Sequence, residues 1–381
     1  MRTAFVVSGL RTGGAEMMLY KLLKSLAPSR CDPVIISLAT GDRPAKLLRD
    51  LGIPVWELGL DASGPLGLPR AAVHGRRALR GFKPALISGW MYHGNLAAYL
   101  LGLGLRTPLL WNIRQSLNLA GEKPATRSVI RAGARLSSAP RRIVYVSAAA
   151  REQHRAIGYR DEAACVLPNG FEVEIFRRDP LERARMRHEL GVGDDTCVIG
   201  HLARFHPMKD QLGLIEAARG VIGERADVLF LLAGAGLGDD NRQLAEAIRR
   251  SGLEGKVRLL GPTQQPHSLL SACDLFCLPS AWGEGFPNAV GEAMASELPC
   301  VVTSVGAGPE LVGDTGLVVG PGDRAALAAA LLQLIRVGAA SRARLGKLAR
   351  ERIQACYSLP AVATRYAEVF DAALSAEIRA A

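Results

Sequence analysis

The residues best suited to chemistry lie in EGFPNAVGE, where Glu284 and Glu292 stand eight positions apart with Gly285, Phe286, Pro287, Asn288 and Ala289 among the residues between them. On one continuous helix two such residues would be separated by about 12 Å and rotated by about 80°, so a shared helical face does not bring them together. Pro287 interrupts any helix through Gly285-Phe286, and Asn288 is a good N-cap for a helix beginning at Ala289. Glu284 is then expected in the loop after the apolar run DLFCLPS, and Glu292 about one turn into the helix, with the loop folding one back toward the other. Carboxylates accept hydrogen bonds from hydroxyls, and exposed N–H groups from Phe286 to Val290 can bind polar oxygens. That combination suits a polyhydroxylated ligand carrying phosphate. Two other readings stay open on these residues alone: a hydrolase acid/base pair, and a Glu292 that neutralises its own helix N-terminus.

Cations and glycines occupy comparable places elsewhere. GHLARFHPMKD sets Arg204 and Lys209 just beyond the run CVIGHL. Converging there, they could hold a diphosphate, Arg through a planar fork and Lys as a point charge; a pair of solvated surface cations is the plain alternative. Gly13 and Gly14 open a helix straight after a strand, leaving N–H groups and a positive dipole end suited to phosphate, although a tight turn alone would account for them. They are not a P-loop, because the Lys-Ser/Thr pair is missing. LLAGAGLGDD carries Gly234, Gly236 and Gly238, near the dinucleotide fingerprint but not equal to it. Cys273 and Cys277 in CDLFC have a near-metal spacing without a second Cys or His pair, so core packing is the better reading and no metal is expected.

Such residues need loops at strand ends, and the sequence supplies them. TAFVV, PVIISLAT, PVWELG, ALISGW, PLLWNIRQS, IVYVS and AACVLPNG read as strands of a first half; TCVIGHLA, VLFLLAGAG, KVRLLGP, DLFCLPS, PCVVTSVG and GLVVGPGD read as strands of a second. Helical patterns fall between them: one ending near Pro28, a polar one through Leu51, a basic one near 70–82, NLAAYLLGL, and one with Ser147 as N-cap. An Ala/Leu/Arg region runs to about 356, and LPAVATRYAEVFDAALSAEI closes the chain. The alternation predicts α/β, with parallel doubly wound sheets whose ligands sit beyond the carboxyl ends of the strands. Pro168-Asn169-Gly170 is a turn signal before a polar run, and 381 residues exceed one ordinary core. A domain boundary is therefore placed there.

Composition sets the class. With 49% hydrophobic and 22% charged residues, the chain is globular rather than disordered or fibrous. Seven scattered cysteines suit buried thiols in a reducing cytosol. The start has one Arg and a short apolar run but not the long apolar core of a leader, and LAAYLLGLGL near residue 100 is apolar enough to lie against something greasy. A cytoplasmic protein is expected. Residues 1–170 carry 24 Lys+Arg against 10 Asp+Glu, whereas the remainder is near neutral within a total of +11. A basic half beside a neutral one suggests anionic material: a membrane surface, a phosphorylated substrate or nucleic acid. Aromatic-basic interleaving and zinc spacing are lacking, which argues against nucleic acid.

Taken together, GGAE, PNGFEVEIF, HLARFHPMKD, FLLAGAGLG, VRLLG and PSAWGEGFPNAVGEAMA resemble the large retaining glycosyltransferase family of GT-B fold that makes bacterial polysaccharides and glycolipids. The resemblance spans nearly the whole chain. It implies two Rossmann-like domains facing across a cleft, 1–168 on the acceptor side and 169–358 on the nucleotide-sugar side, with a helix over 359–381 crossing back to the first. It carries Arg204 and Lys209 over as a clamp on the donor diphosphate and Glu292 as the ribose ligand. Glu284 and the N–H groups of Gly285, Phe286, Pro287, Asn288 and Ala289 (Pro287 having none to give) fall on the transferred sugar. Gly13, Gly14, Gly234 and Gly261 join the donor-binding set; His93 is similar to a cleft histidine of many relatives. Arg114 stands in WNIRQS, where many relatives have histidine, and is placed with the acceptor. Metal-independent, retaining transfer from a UDP- or GDP-sugar to a lipid-linked or glycan acceptor is implied, with peripheral contact to the anionic inner face of the plasma membrane. A nucleotide-sugar 2-epimerase of the same fold and a non-catalytic basic binding module are the rivals. After EAMAS, Glu297 replaces the glycine common in relatives, at a left-handed helix cap that is harder for Glu.

Overall fold

A computed structural model describes residues 1–26 and 30–375. Pro28, read as the end of the first helix, lies outside the described residues, as do positions 376–381 of the last. Seven strands, β1 (Arg2–Val7), β2 (Asp32–Ser37), β3 (Val55–Glu57), β4 (Leu86–Trp90), β5 (Leu109–Ile113), β6 (Arg142–Tyr145) and β7 (Ala164–Val166), form one sheet in the order β3-β2-β1-β4-β5-β6-β7. Six more, β8 (Cys197–Leu202), β9 (Val228–Ala233), β10 (Val257–Leu259), β11 (Leu275–Leu278), β12 (Cys300–Thr303) and β13 (Leu317–Val319), form a second in the order β10-β9-β8-β11-β12-β13. Every pairing within both sheets is parallel. Two Rossmann-like sheets of a GT-B fold result, and both reverse their strand order next to their first strand. Helices cover both faces of a parallel sheet. That is why strands such as LISGW and VLFLLA are buried at every position.

The chain divides into two compact units, Met1–Gly170 joined by the segment from Leu359 onward, and Phe171–Ser358. In the first, the helix Leu359–Ser375 repeats apolar residues at helical spacing, and Val362, Tyr366 and Phe370 enter the core with Phe5, Leu19, Leu22 and Trp90. Phe5 meets Phe370 edge-on at 6.2 Å. Ser147 caps the helix Ala148–Arg155, its hydroxyl accepting from Ala150 N at 3.2 Å.

In the second unit, β8, β9 and β11 share a core with the helices Gln211–Glu224 and Arg324–Arg336. The polar run before β8 contains a helix, Pro180–Glu189, whose start is fixed by Pro180 and by Asp179 accepting from Leu181 N and Glu182 N. The Ala/Leu/Arg region is two helices, Arg324–Arg336 and Gly338–Tyr357, meeting at 106° where Gly338 takes φ +82°. Glu297, after the helix Asn288–Ala295, takes φ +63°. Its carbonyl is closely covered, since a Cβ on Gly346 would lie 1.9 Å from that oxygen. The left-handed conformation strains a side chain but not glycine. Glu297→Gly should therefore raise stability by about 0.5–1 kcal/mol, read as a higher unfolding midpoint in denaturant; an unchanged or lower midpoint would show that the Glu297 side chain offsets its backbone strain.

Candidate active site

Where strand order reverses, the chain leaves neighbouring strands toward opposite faces and opens a crevice at their carboxyl ends. In the second unit this place lies between β8 and β11, paired through Ile199 with Leu275 and Gly200 with Phe276. The two segments singled out for chemistry leave from these two strands. Lys209 ends the short 3-10 turn Pro207–Lys209 beyond β8, and its Nζ donates to Glu284 Oε1 beyond β11. Ser280 Oγ donates to the same carboxylate oxygen at 2.5 Å, and Ala281 N donates to Met208 O at 2.8 Å. Glu284 is buried, and Lys209 is mostly so. A buried ion pair gives up solvation on both partners, so it persists only with close geometry and added hydrogen bonds, which Ser280 provides.

Glycines admit this approach. Gly306 has φ +56°, and a Cβ there would lie 1.6 Å from Glu284 O; Gly283 has φ +79°, and its Cβ would meet Met208 Sδ at 2.6 Å. Beyond Glu284 the chain is anchored by the Phe286 ring, stacked on Phe171 at 6.1 Å and tilted against Tyr357 at 5.6 Å. The helix Asn288–Ala295 starts one residue earlier than expected: Pro287, not Asn288, is the N-cap, and its carbonyl takes Val290 N at 3.1 Å. Proline fixes φ and loses nothing at a helix start, where its missing N–H would be an orphan. Glu292 is half-buried in the second turn of this helix, and Gly285, Phe286 and Pro287 are buried, with Asn288 and Ala289 half-buried.

The loop after β8 is braced from beneath by residues that the sequence reading missed. His201 Nδ1 faces Cys277 O at 3.0 Å and must donate, so Nε2 accepts from Gln211 Nε2 at 3.2 Å. Gln211 Nε2 also donates to Arg204 O at 3.0 Å. Burial pushes the His201 pKa down to about 4, with Cys277 O pulling it up and Lys209 adding to the fall. The brace fixes the backbone of Arg204 and leaves its side chain exposed. Asp210, at φ +49°, closes the loop by capping the helix Gln211–Glu224 through Gly213 N at 3.2 Å. Gly234 passes so near that a Cβ would lie 1.9 Å from Ala203 O, and its N–H donates to Gly261 O at 2.8 Å. Both glycines thus support the floor beside Arg204. Among the described residues, no group of three or more His, Cys, Asp or Glu could hold a metal ion.

The first unit reverses its order between β1 and β4, and its expected residues gather there. Gly13 and Gly14 lead into the helix Gly14–Leu26 after β1; a Cβ on Gly13 would lie 2.4 Å from Glu16 Oε2. Burial raises the Glu16 pKa, against its own backbone N–H. Trp90 Nε1, ending β4, donates to Ala15 O at 3.0 Å. Met91 then takes φ +65° and starts the helix Met91–Gly102, in whose first turn His93 is exposed between the buried Tyr92 and Gly94. Desolvation lowers the His93 pKa, with Glu122 pulling the other way.

Arg114, expected on the acceptor side, is turned inward. Instead of offering itself to an acceptor, it is buried, with Nη1 donating to Leu167 O at 2.8 Å and to Tyr366 Oη at 3.0 Å, and Nη2 donating to Asn169 Oδ1. Its two Nη groups fasten the end of β7 and the last helix to β5, while Nε is buried without a partner among the described residues.

Comparison with known proteins follows this geometry. Residues 13–170 match the family described as Glycosyl transferase 4-like domain, and residues 196–336 match Glycosyl transferases group 1. The UDP-Gal:alpha-D-GlcNAc-diphosphoundecaprenol alpha-1,3-galactosyltransferase of Escherichia coli is 31% identical over 144 residues, 37% of this chain and 36% of that protein. The N-acetyl-alpha-D-glucosaminyl L-malate synthase of Bacillus anthracis is 25% identical over 256 residues, 67% of this chain and 65% of that protein. The chain thus spans less than two thirds of either relative's length. The crystal structure of Anabaena HepE in complex with UDP superposes with a TM-score of 0.86 at 25% identity, covering 98% of this chain and 100% of that one.

Two outcomes follow from buried groups in the two units. Arg114→Ala should leave buried acceptors without donors and cost about 2–3 kcal/mol of stability, measured by denaturant melts; unaltered stability with weaker acceptor binding would restore the acceptor role. His201, and His154 in the helix Ala148–Arg155 of the first unit, are both buried, and desolvation pushes their pKa values down from 6.5 to about 4. A depressed folded value means that the stabilisation is complete above pH 6.5 and disappears as the pH falls through 4. Stability should therefore drop by up to about 1.4 kcal/mol per pH unit per histidine across that window; a flat melting temperature between those limits would contradict it.

Proposed function

We propose that this chain, which belongs to the group 1 glycosyltransferases of GT-B fold, moves a sugar from a UDP- or GDP-sugar to a lipid-linked or glycan acceptor in bacterial surface polysaccharide or glycolipid synthesis. The observation that carries the reading is the Lys209–Glu284 pair at the β8–β11 reversal, beside Arg204 and the helix that holds Glu292. Support for the donor class comes from Anabaena HepE, solved with UDP, and for a lipid-linked acceptor from the Escherichia coli relative, named for UDP-Gal and a diphosphoundecaprenol. Among the described residues no single helix is long and apolar enough to cross a membrane, so contact with a lipid-borne acceptor is assigned to the protein surface.

In this reading Lys209 and Arg204 hold the donor diphosphate, Glu292 accepts from the ribose hydroxyls, and Glu284 with the N–H groups after Gly285 accepts and donates to the transferred sugar. The acceptor oxygen bonds to the anomeric carbon on the face from which the C–O bond to phosphate breaks, so configuration is retained. The departing phosphate oxygen takes the acceptor's proton. Negative charge grows on the diphosphate as that bond breaks, and fixed cations in a water-poor site stabilise such charge more than they stabilise the bound ground state. No metal is required for this division of labour. In the first unit, His93 and the Gly13-Gly14 turn take part in turnover.

A thermal-shift panel of nucleotide sugars, followed by product analysis with the donor that shifts most, tests the reading. Lys209→Ala should lower kcat by about two to three orders of magnitude, or about 3–4 kcal/mol, while EDTA leaves the wild-type rate unchanged. Conversion of the donor without an acceptor, or an unimpaired Lys209→Ala enzyme, would overturn it.

A further inference from the structure

From residue 62 to residue 151 the sequence holds fourteen Lys and Arg and a single acid, Glu122. A carboxylate among so many cations has every opportunity to form an ion pair, yet among the described residues Glu122 forms none, and its Oε1 accepts instead from Gln115 Nε2 at 3.1 Å. Glu122 is half-buried in the loop that joins β5 to the helix Pro124–Leu136. β5 pairs with β4, and the residues that follow β4 are Met91, Tyr92 and His93. The single acid and the exposed histidine thus stand on loops from the carboxyl ends of neighbouring strands, and Glu122 is the charge that acts on His93.

A buried relay fixes how that acid is held. His154 is wholly buried, with Nδ1 at 2.6 Å from Ala150 O and Nε2 at 2.7 Å from Tyr92 Oη. A carbonyl only accepts, so Nδ1 carries the ring proton and Nε2 takes the Tyr92 hydroxyl proton. Tyr92 Oη then has only lone pairs to offer Gln115, its other polar neighbour. Gln115 must turn its NH2 that way, and the same NH2 reaches Glu122 Oε1. The relay ends on an acceptor, which a carboxylate supplies. Leu117 N, donating to Gln153 Oε1 at 2.8 Å, ties this loop to the helix Ala148–Arg155 as well. One oxygen is left over: among the described residues nothing hydrogen-bonds to Glu122 Oε2, nor to either ring nitrogen of His93.

The function proposed above places the diphosphate, the ribose and most contacts to the transferred sugar on residues of the second unit, which leaves the acceptor hydroxyl to the first. We propose that Glu122 binds the sugar end of the acceptor, its Oε2 accepting from a hydroxyl of that sugar beside His93. A hydroxyl donates to a carboxylate, whereas a phosphate is repelled by it. The one acid of this cationic stretch therefore gives the acceptor a direction, with hydroxyls toward Glu122 and any phosphate away from it. Gln115, Tyr92 and His154 act through Glu122 and are positioning residues. The inference deepens the proposed transfer and rests on it.

Steady-state kinetics test it, with the donor saturating and two acceptors: GlcNAc-diphosphoundecaprenol, the class in the name of the Escherichia coli relative, and methyl α-glucoside. Glu122→Gln is isosteric but offers one oxygen where the carboxylate offers two. It should raise the acceptor KM about tenfold or more, as loss of a hydrogen bond to a charged group does, with kcat changed far less. Glu122→Asp keeps the carboxylate and should recover part of the loss. Both variants should keep the wild-type thermal shift with UDP, and Glu152→Gln, which removes an exposed acid from the helix Ala148–Arg155, should match the wild type throughout. An unchanged acceptor KM in Glu122→Gln would overturn the proposal. So would a lowered one, because the carboxylate would then face an anionic part of the acceptor, and so would an Asp variant no better than the Gln variant. Wild-type protein that transfers to neither acceptor would remove the reading on which this rests; transfer that is indifferent to Glu122 sinks the carboxylate alone.

Discussion

The ion pair between Lys209 and Glu284 joins two loops that leave neighbouring parallel strands toward opposite faces of the second sheet. Together with the Ala281 N to Met208 O hydrogen bond, it holds the two segments that line the crevice between β8 and β11 against each other. The surrounding residues are arranged around its existence. Glycines 283 and 306 yield the space, Ser280 completes the carboxylate, and Thr303 Oγ1 holds Ser280 O at 2.5 Å. A buried pair is weak evidence for stability, because its desolvation offsets much of the attraction. In the function proposed above, it offers a diphosphate an ammonium held in place in advance, close to the start of the helix Gln211–Glu224.

Rigidity reaches the site from the two-sided burial of the strands. β8, β9 and β11 have no solvent face, so the loops begin from fixed points. Strain then collects just outside the strands, with Asp210 in the second unit and Met91 in the first at positive φ. Non-glycine residues in that region persist only where the surroundings over-determine them, and they concentrate at ligand sites. Both lie within a few residues of the positions proposed to act. The His201–Gln211 brace serves the same end by fixing a backbone carbonyl, not by touching a ligand.

All thirteen strands are legible in the sequence as short apolar runs between turn residues, most plainly where the strand is buried throughout, as in β4, β9 and β11, and the parallel two-sheet class follows from their alternation with helices. Local capping was less so. Asn288 has the better intrinsic N-cap chemistry, yet Pro287 occupies the cap because Phe286 is pinned by Phe171 and Tyr357, a tertiary override of a local preference. The helix Pro180–Glu189 did carry a signal, Asp179 before Pro180, hidden within a polar run. Arg114 illustrates a different limit: its type is equally suited to an acceptor or to buried carbonyls, and the partners that engage it, Leu167, Asn169 and Tyr366, lie 53, 55 and 252 residues away. For the candidate site, the residue types were visible, whereas the bond between Lys209 and Glu284 spans 75 positions and needs the strand order before it can be seen. The His201–Gln211 contact is invisible for a related reason, since a buried polar pair has no periodic signature.

The claim that Glu284 governs Lys209 at a diphosphate site is tested most directly by calorimetric titration of UDP into the wild type, Lys209→Met, Glu284→Gln and the double variant. The account predicts that Lys209→Met weakens UDP binding and that Glu284→Gln alters affinity only while Lys209 is present, giving a coupling of about 1 kcal/mol or more. Effects that add within about 0.5 kcal/mol, or an affinity indifferent to Lys209, would contradict it.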